Sequence, residues 1–172
     1  MPTGYGEAIY LSELEAKVER LEAEVKKYKR LSLKDPLTNL WNERKLKEDL
    51  KRYVEIQKRS EIKFTVALID IDNFKQYNDK YGHEYGNKIL KQVAKVLKNS
   101  IRKYENVYRI GGGADEFIII LSHSNNPLFV IERIIDRLLK KDINCSIGYA
   151  TLDKDILKTI DERMYDFKQK KK

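Results

Sequence analysis

Phe64-Thr65-Val66-Ala67-Leu68-Ile69-Asp70-Ile71-Asp72 is the stretch that decides the fold. Residues 64–69 form an apolar run of strand length that ends at Asp70. A strand of that kind is buried on both faces and sits in the middle of a sheet. Downstream, residues 86–97 place Ile89, Leu90, Val93, Val96 and Leu97 on one helical face. Residues 107–110 and 117–121 are short strand-like runs around Gly111-Gly112-Gly113, the pattern of a hairpin. A helix over 128–139, a strand over 143–150 and a closing helix over 155–168 follow. Upstream, Leu46, Leu50, Tyr53, Val54 and Ile56 give residues 42–58 a helical apolar face. Helices alternate with strands, with one antiparallel hairpin. The expected fold is α/β, an α+β sandwich of one mixed sheet with helices against it.

Further upstream the periodicity changes. Leu11, Val18, Val25 and Ser32 fall at heptad position a, and Leu14, Leu21 and Tyr28 at d. β-Branched residues at a with Leu at d favour a parallel two-stranded coil. The flanking charges agree, since Lys17 at g meets Glu22 at e of a second copy, and Glu24 meets Lys29. A helix packed on its own domain is the alternative; a parallel homodimer through residues 11–32 is the expectation. Ser32-Leu33-Lys34-Asp35-Pro36 ends the heptads, and Pro36 biases Asp35 away from helix. The chain therefore divides into a coil over residues 1–33 and a domain over 34–172.

The 172 residues are 41% hydrophobic and 36% charged, enough for one domain with a core plus an extension. Neither a membrane span nor the basic-then-apolar order of a secretion signal is present in the sequence. The single cysteine, Cys145, allows no internal disulfide and no multi-cysteine zinc site. These features point to a cytoplasmic chain. The net charge of +8 falls to +4 without Lys168, Lys170, Lys171 and Lys172. The basic residues are not interleaved with aromatics as a stacking platform requires, so neither nucleic acid nor membrane is an expected partner.

The carboxylates carry the chemistry. Asp70 and Asp72, two residues apart at a strand end, can point to one face of the sheet. Asp115 and Glu116 follow the glycine turn and open the next apolar run. If the two strands are neighbours, Asp70 and Asp115 meet, and they repel unless a cation lies between them. Hard oxygen ligands suit Mg²⁺ or Mn²⁺, and metals held by carboxylates serve phosphoryl and nucleotidyl transfer. From the residues alone, such a pair is more often a cap or solvated surface.

Four blocks, in order, extend this reading across residues 35–168. Asp35-Pro36-Leu37-Thr38-Asn39-Leu40-Trp41-Asn42 leads in; Asp70-Ile71-Asp72-Asn73-Phe74-Lys75 is followed by Asn78-Asp79 and Tyr81-Gly82-His83; then come Gly113-Ala114-Asp115-Glu116-Phe117 and Ser146-Ile147-Gly148-Tyr149-Ala150. Together they resemble the GGDEF family, the diguanylate cyclases. The resemblance implies a palm-like sheet with surrounding helices. It also implies two GTP-loaded domains facing each other, each 3′-hydroxyl attacking the other's α-phosphate to form cyclic di-GMP and release pyrophosphate. Asp70 and Asp115 would hold the metals with help from the Ile71 carbonyl, and Glu116 would contact the ribose or support the ligands. The N–H groups of Asn73, Phe74 and Lys75 would cradle the β- and γ-phosphates, Asn78 would read the guanine edge, and Lys168 and Lys172 would neutralise the phosphate tail. His83, after Gly82, is expected to be part of a turn rather than a general base.

Three departures stand out. Two extra residues separate Arg109 from Asp115, and Ala114 stands where the family has glycine. An even insertion keeps Asp115 on the metal face if it lengthens the hairpin. Asn87 replaces the family's Asp, offering one acceptor and two donors where guanine needs two acceptors. This suggests a relaxed enzyme that also takes ATP as an alternative. Arg102-Lys103-Tyr104-Glu105 resembles the family's product-inhibition motif, with Arg102 and Glu105 as a degenerate site for cyclic di-GMP. The remaining alternative is a non-catalytic module that binds nucleotide or dimerises through the coil.

Overall fold

The computed structural model describes residues 4–111, 115–122 and 126–152. The helix expected over 155–168 lies outside the described residues. The chain forms two compact units, Met1–Lys34 and Asp35–Lys172.

The first unit is one helix, α1 (Gly4–Ser32). Its heptad residues Leu11, Leu14, Val18, Leu21, Val25 and Tyr28 are all exposed, from 46% at Leu14 and Leu21 to 66% at Tyr28.

In the second unit, β1 (Trp41–Asn42), β2 (Phe64–Ile71), β3 (Asn106–Ile110), β4 (Glu116–Ser122) and β5 (Cys145–Thr151) form a mixed sheet in the order β1-β3-β4-β2-β5. Only β1 and β3 run parallel. Every residue of β2 is buried, because strands flank both its edges and side chains cover both its faces. Ala67, Ile69 and Ile71 join Phe117 and Ile119 in one core cluster, and Phe64, Val66 and Leu68 join Ile118 and Ile120 in the other. That is the physical reason the run shows no alternation.

α2 (Glu43–Arg59) opens with Asn42, whose side chain accepts from the Lys45 N–H. Its Leu46 and Tyr53 complete the second cluster. It is tied to β3 where the Tyr108 hydroxyl donates to Asp49 Oδ2 at 2.8 Å, a carboxylate also paired with Lys45 at 2.9 Å. α4 (His83–Ser100) and α5 (Pro127–Leu139) cover the other face through Val93, Leu97, Ile131 and Ile134. Two elements were not anticipated. One is β1, two residues held by the preceding turn. The other is α3 (Phe74–Tyr81), too short for a clear period, which buries Phe74.

The lead-in turn is anchored to the sheet. Arg109 Nη1 lies 3.1 and 3.2 Å from the two Asp35 oxygens, and the Thr38 N–H donates to Asp35 Oδ1 at 2.8 Å. Burial pushes the Asp35 pKa up, but hydrogen bonds from Thr38 and Arg109 outweigh it and hold the carboxyl below its usual range. A carboxyl lowered on folding stabilises above its unfolded pKa of 3.8, and that stabilisation fades as pH falls through the folded value. Asp35→Asn should therefore cost about 2–3 kcal/mol at pH 7, since it leaves a buried guanidinium less well matched. Below about pH 4 the gap to wild type should narrow. Urea melts of both proteins at pH 7 and pH 3 check this, and a gap independent of pH would contradict it.

Candidate active site

The carboxylates gather at one end of the two central strands. In the antiparallel ladder Asp70 stands opposite Glu116 of β4 on one side and Ser146 of β5 on the other. Residues directly opposite in such a ladder share a face of the sheet. The Ser146 hydroxyl donates to Asp72 Oδ1 at 2.6 Å, so Asp70, Asp72 and Glu116 lie toward the same face at the strand ends. Asp70 is only 9% exposed; Glu116 and Asp115 are half-buried. Like charges directly opposite destabilise a sheet, and nearby hard oxygens are a donor set that a divalent cation suits. Among the described residues, no group of three or more His, Cys, Asp or Glu side chains is close enough to hold a metal by itself.

β3 and β4 are joined by residues 111–115. Ile110 pairs with Glu116 as the last rung, so residues 111–115 form the connection and Asp115 lies one position outside the ladder. Asp115 therefore lies in the connection and not in a strand, and strand parity does not govern where it points. Gly112, Gly113 and Ala114 lie outside the described residues. The loop leaves β3 through Gly111, with φ of 77°, a left-handed backbone that favours glycine. The Gly111 N–H bonds the Glu43 carboxylate at the start of α2, and Lys47 holds that carboxylate below its usual pKa.

Beyond Asp72 the chain turns sharply. Asn73 takes a left-handed conformation (φ 58°, ψ 28°), which asparagine tolerates better than most residues, and α3 begins at the next residue. The first N–H groups of a helix have no intrahelical partner and form an anion-binding terminus. Asn73, Phe74 and Lys75 thus stand beside the Asp70 end of β2, with Asn73 and Lys75 exposed.

α3 and α4 meet at Gly82, whose φ of 81° and ψ of 161° belong to a region essentially reserved for glycine. Across the corner Tyr85 stacks on Tyr77 at 6.4 Å and meets Tyr81 at 4.8 Å with the rings tilted by 47°. Asn78 is half-buried here against Gly86, while Asn87, one residue further on, is exposed. His83 is the exposed first residue of α4.

Arg102 and Glu105 are turned to different tasks. Glu105 is 9% exposed and accepts from the Arg102 N–H at 2.9 Å and the Ser122 N–H at 3.2 Å, stitching the turn before β3 to the end of β4. The Arg102 side chain is exposed and bonds the Tyr104 hydroxyl. Lys168 and Lys172 lie outside the described residues.

Two features escaped the sequence reading. Glu116, rather than Asp115, is the ladder partner of Asp70; counting back from the paired apolar runs, Ile69 with Phe117, would have found it. The packing of Asn78 on Gly86 left no signal except the glycine itself.

Comparison with known proteins agrees with this geometry. Residues 32–172 match the family model described as diguanylate cyclase, GGDEF domain. Diguanylate cyclase DgcS of Shewanella oneidensis is 31% identical over 159 residues, 87% of this chain and 53% of that protein. Diguanylate cyclase DosC of Escherichia coli is 37% identical over 116 residues, 66% of this chain and 25% of that protein. The chain thus spans about half the length of the first relative and a quarter of the second. The coiled coil and GGDEF domain of DgcB from Caulobacter crescentus, solved with c-di-GMP, superimposes with a TM-score of 0.83. It covers 95% of this chain and 94% of that one, and at 23% identity it shows the fold. The GGDEF domain of YfiN from Pseudomonas aeruginosa, 27% identical, gives a TM-score of 0.70 over 80% of this chain and 89% of that one. With an all-buried central strand, opposed carboxylates at its end and this match over residues 32–172, the chain belongs to the GGDEF domain family.

Proposed function

We propose that this chain is a diguanylate cyclase that condenses two GTP into one cyclic di-GMP and two pyrophosphates, each 3′-hydroxyl displacing pyrophosphate from the other nucleotide's α-phosphate. The observation that carries this reading is the Asp70–Glu116 rung at the end of β2 and β4, beside the N-terminus of α3. Asp70, Glu116, Asp115 and the Ile71 carbonyl would hold Mg²⁺ or Mn²⁺. When bound, the cation would offset triphosphate charge and polarise the α-phosphate. The N–H groups of Asn73, Phe74 and Lys75 bind the outer phosphates through the helix terminus, and Lys75 adds a cation there. Lys168 and Lys172 are assigned to the same phosphates by family resemblance. Asn78, on the next helical turn, reads the base. Arg102 and Glu105 offer cyclic di-GMP a weakened inhibitory site at most, because backbone N–H groups already engage both Glu105 oxygens.

One domain holds one nucleotide, so condensation needs a second copy. The exposed heptad stripe of α1 supports a parallel coiled-coil homodimer as the means of bringing it. No helix among the described residues is long and apolar enough to cross a membrane, and the cytoplasm, where GTP is found, is the proposed location.

The test is incubation with GTP, with ATP and with both, in Mg²⁺, followed by mass identification of products. Cyclic di-GMP from GTP alone is the expected result; binding of nucleotide with no dinucleotide formed would make the chain a non-catalytic module.

A second reading has its own observation: Asn87, exposed beside the base-reading corner, presents an amide where the family has a carboxylate. It predicts some turnover of ATP. Asn87→Asp would supply two acceptors to guanine N1–H and N2–H. The kcat/KM ratio of GTP to ATP should then rise about ten- to a hundredfold, the worth of one charge-assisted hydrogen bond of roughly 1.5–3 kcal/mol. Adenine N1 is an acceptor and gains nothing from a carboxylate. An unchanged ratio would remove position 87 from the base site.

A further inference from the structure

We propose that Gly86 is a positioning residue for base recognition, acting through Asn78; this rests on the reading of Asn78 as the residue that meets the guanine edge. Gly86 is buried in α4, and its backbone is not in the positive-φ region that Gly82 and Gly111 occupy. Helical backbone makes no demand for glycine, and glycine inside a helix is normally less favourable than alanine. The demand at position 86 is therefore for space. A Cβ placed there would lie 1.9 Å from Asn78 Oδ1, 3.0 Å from Asn78 Cγ and 3.2 Å from Phe74 Cζ. The missing side chain is the seat in which the Asn78 amide rests. Gly82 makes the opposite case, with a strained φ of +81° and nothing within 4 Å of its absent Cβ.

The two neighbours of that seat differ in what they can do. Phe74 is 9% exposed and packed in the core, so its ring gives by no more than a few tenths of an ångström. The Asn78 amide is the far end of a two-torsion side chain and is the group that yields. An alanine at 86 would evict the amide from α4 while leaving the helix intact. Gly86 thus fixes the direction in which Asn78 presents its amide, next to position 87 on the same helix.

The test compares binding of GTP and ATP analogues, each non-hydrolysable between the α- and β-phosphates, to the full chain with Mg²⁺. The proteins are wild type, Gly86→Ala, Asn78→Ala and the double variant, each with its melting temperature. Gly86→Ala should lower the guanine-over-adenine preference about five- to tenfold, the worth of one neutral hydrogen bond. Its melting temperature should stay near that of wild type, because the helix-forming gain of alanine is offset by the few tenths of an ångström that Phe74 must give. In the double variant the preference should be no lower than in Asn78→Ala alone, since Gly86 has no second route to the base. If Gly86→Ala melts early, the double variant, which vacates the space, should restore the melting temperature. An unaltered preference in Gly86→Ala, a further loss in the double variant, or an unrestored melt would each overturn the proposal. So would a wild type without base preference. A wild type that prefers the guanine analogue yet makes no dinucleotide from GTP would overturn the proposed activity and leave the Gly86 inference to these binding ratios.

Discussion

Asp70→Ala should lower dinucleotide formation by at least about a thousandfold without unfolding the domain. Asp70 closes the ladder opposite Glu116 at the end of β2, outside both core clusters. Truncating it leaves both clusters packed, so the melting temperature in the absence of divalent cation should stay near that of wild type. The loss lies in transition-state charge, where deleting one electrostatic stabiliser is typically worth a factor of about 100 to 1,000 and deleting a metal ligand at least as much. Asp70→Asn, which keeps size and removes charge, should lose turnover to a similar degree. The same assay applied to Asp115→Ala and Glu116→Ala sorts the signature. Glu116 is on a rung with Asp70 and Asp115 is one position outside it. Wild-type rates in Asp115→Ala together with loss in Glu116→Ala would make Glu116 the partner ligand. Wild-type rates in Asp70→Ala would remove the carboxylate rung from the chemistry altogether.

The second large effect concerns α1. Deleting residues 11–32 should leave a folded domain, because Asp35–Lys172 is a compact unit with its own core on both faces of the sheet. Turnover per chain at nanomolar concentration should nevertheless fall by at least about a hundredfold. A coil that joins two domains raises their mutual concentration toward the millimolar range, and free domains must find each other by diffusion. Activity should return as the concentration of the truncated chain is raised, and the rate should then depend on its square. Sedimentation should report a monomer for the truncated chain and a dimer for the whole one. Full activity in a nanomolar monomer would show that the exposed stripe from Leu11 to Tyr28 has no part in assembling the site.

Periodicity and run length were legible in the sequence because they record solvent contact one residue at a time. The near-continuous run at 64–69 announced a central strand, the spacing of Leu46 to Tyr53 and of Ile89 to Leu97 announced helices, and the motif order announced the family. α3 and β1 were not legible, since eight and two residues are too few for a period and both are held by what they pack against.

The site divides in the same way. That Asp70, Asp72, Asp115 and Glu116 stand at strand ends followed from their places at the ends of apolar runs, a property of local order along the chain. Which carboxylate faces Asp70 did not follow, because register is a relation between strands distant in sequence. The structure paired Ile69 with Phe117, and that register placed Glu116 opposite Asp70 and Asp115 in the connection. Nor did the sequence tell that the Ser122 N–H, at the end of another strand, donates to the Glu105 side chain. Gly86 shows the limit most plainly. Its letter told only that a side chain was absent, and only the packing of α3 on α4 decided that the Asn78 amide fills the space, since shape complementarity between two helices is written in neither one alone.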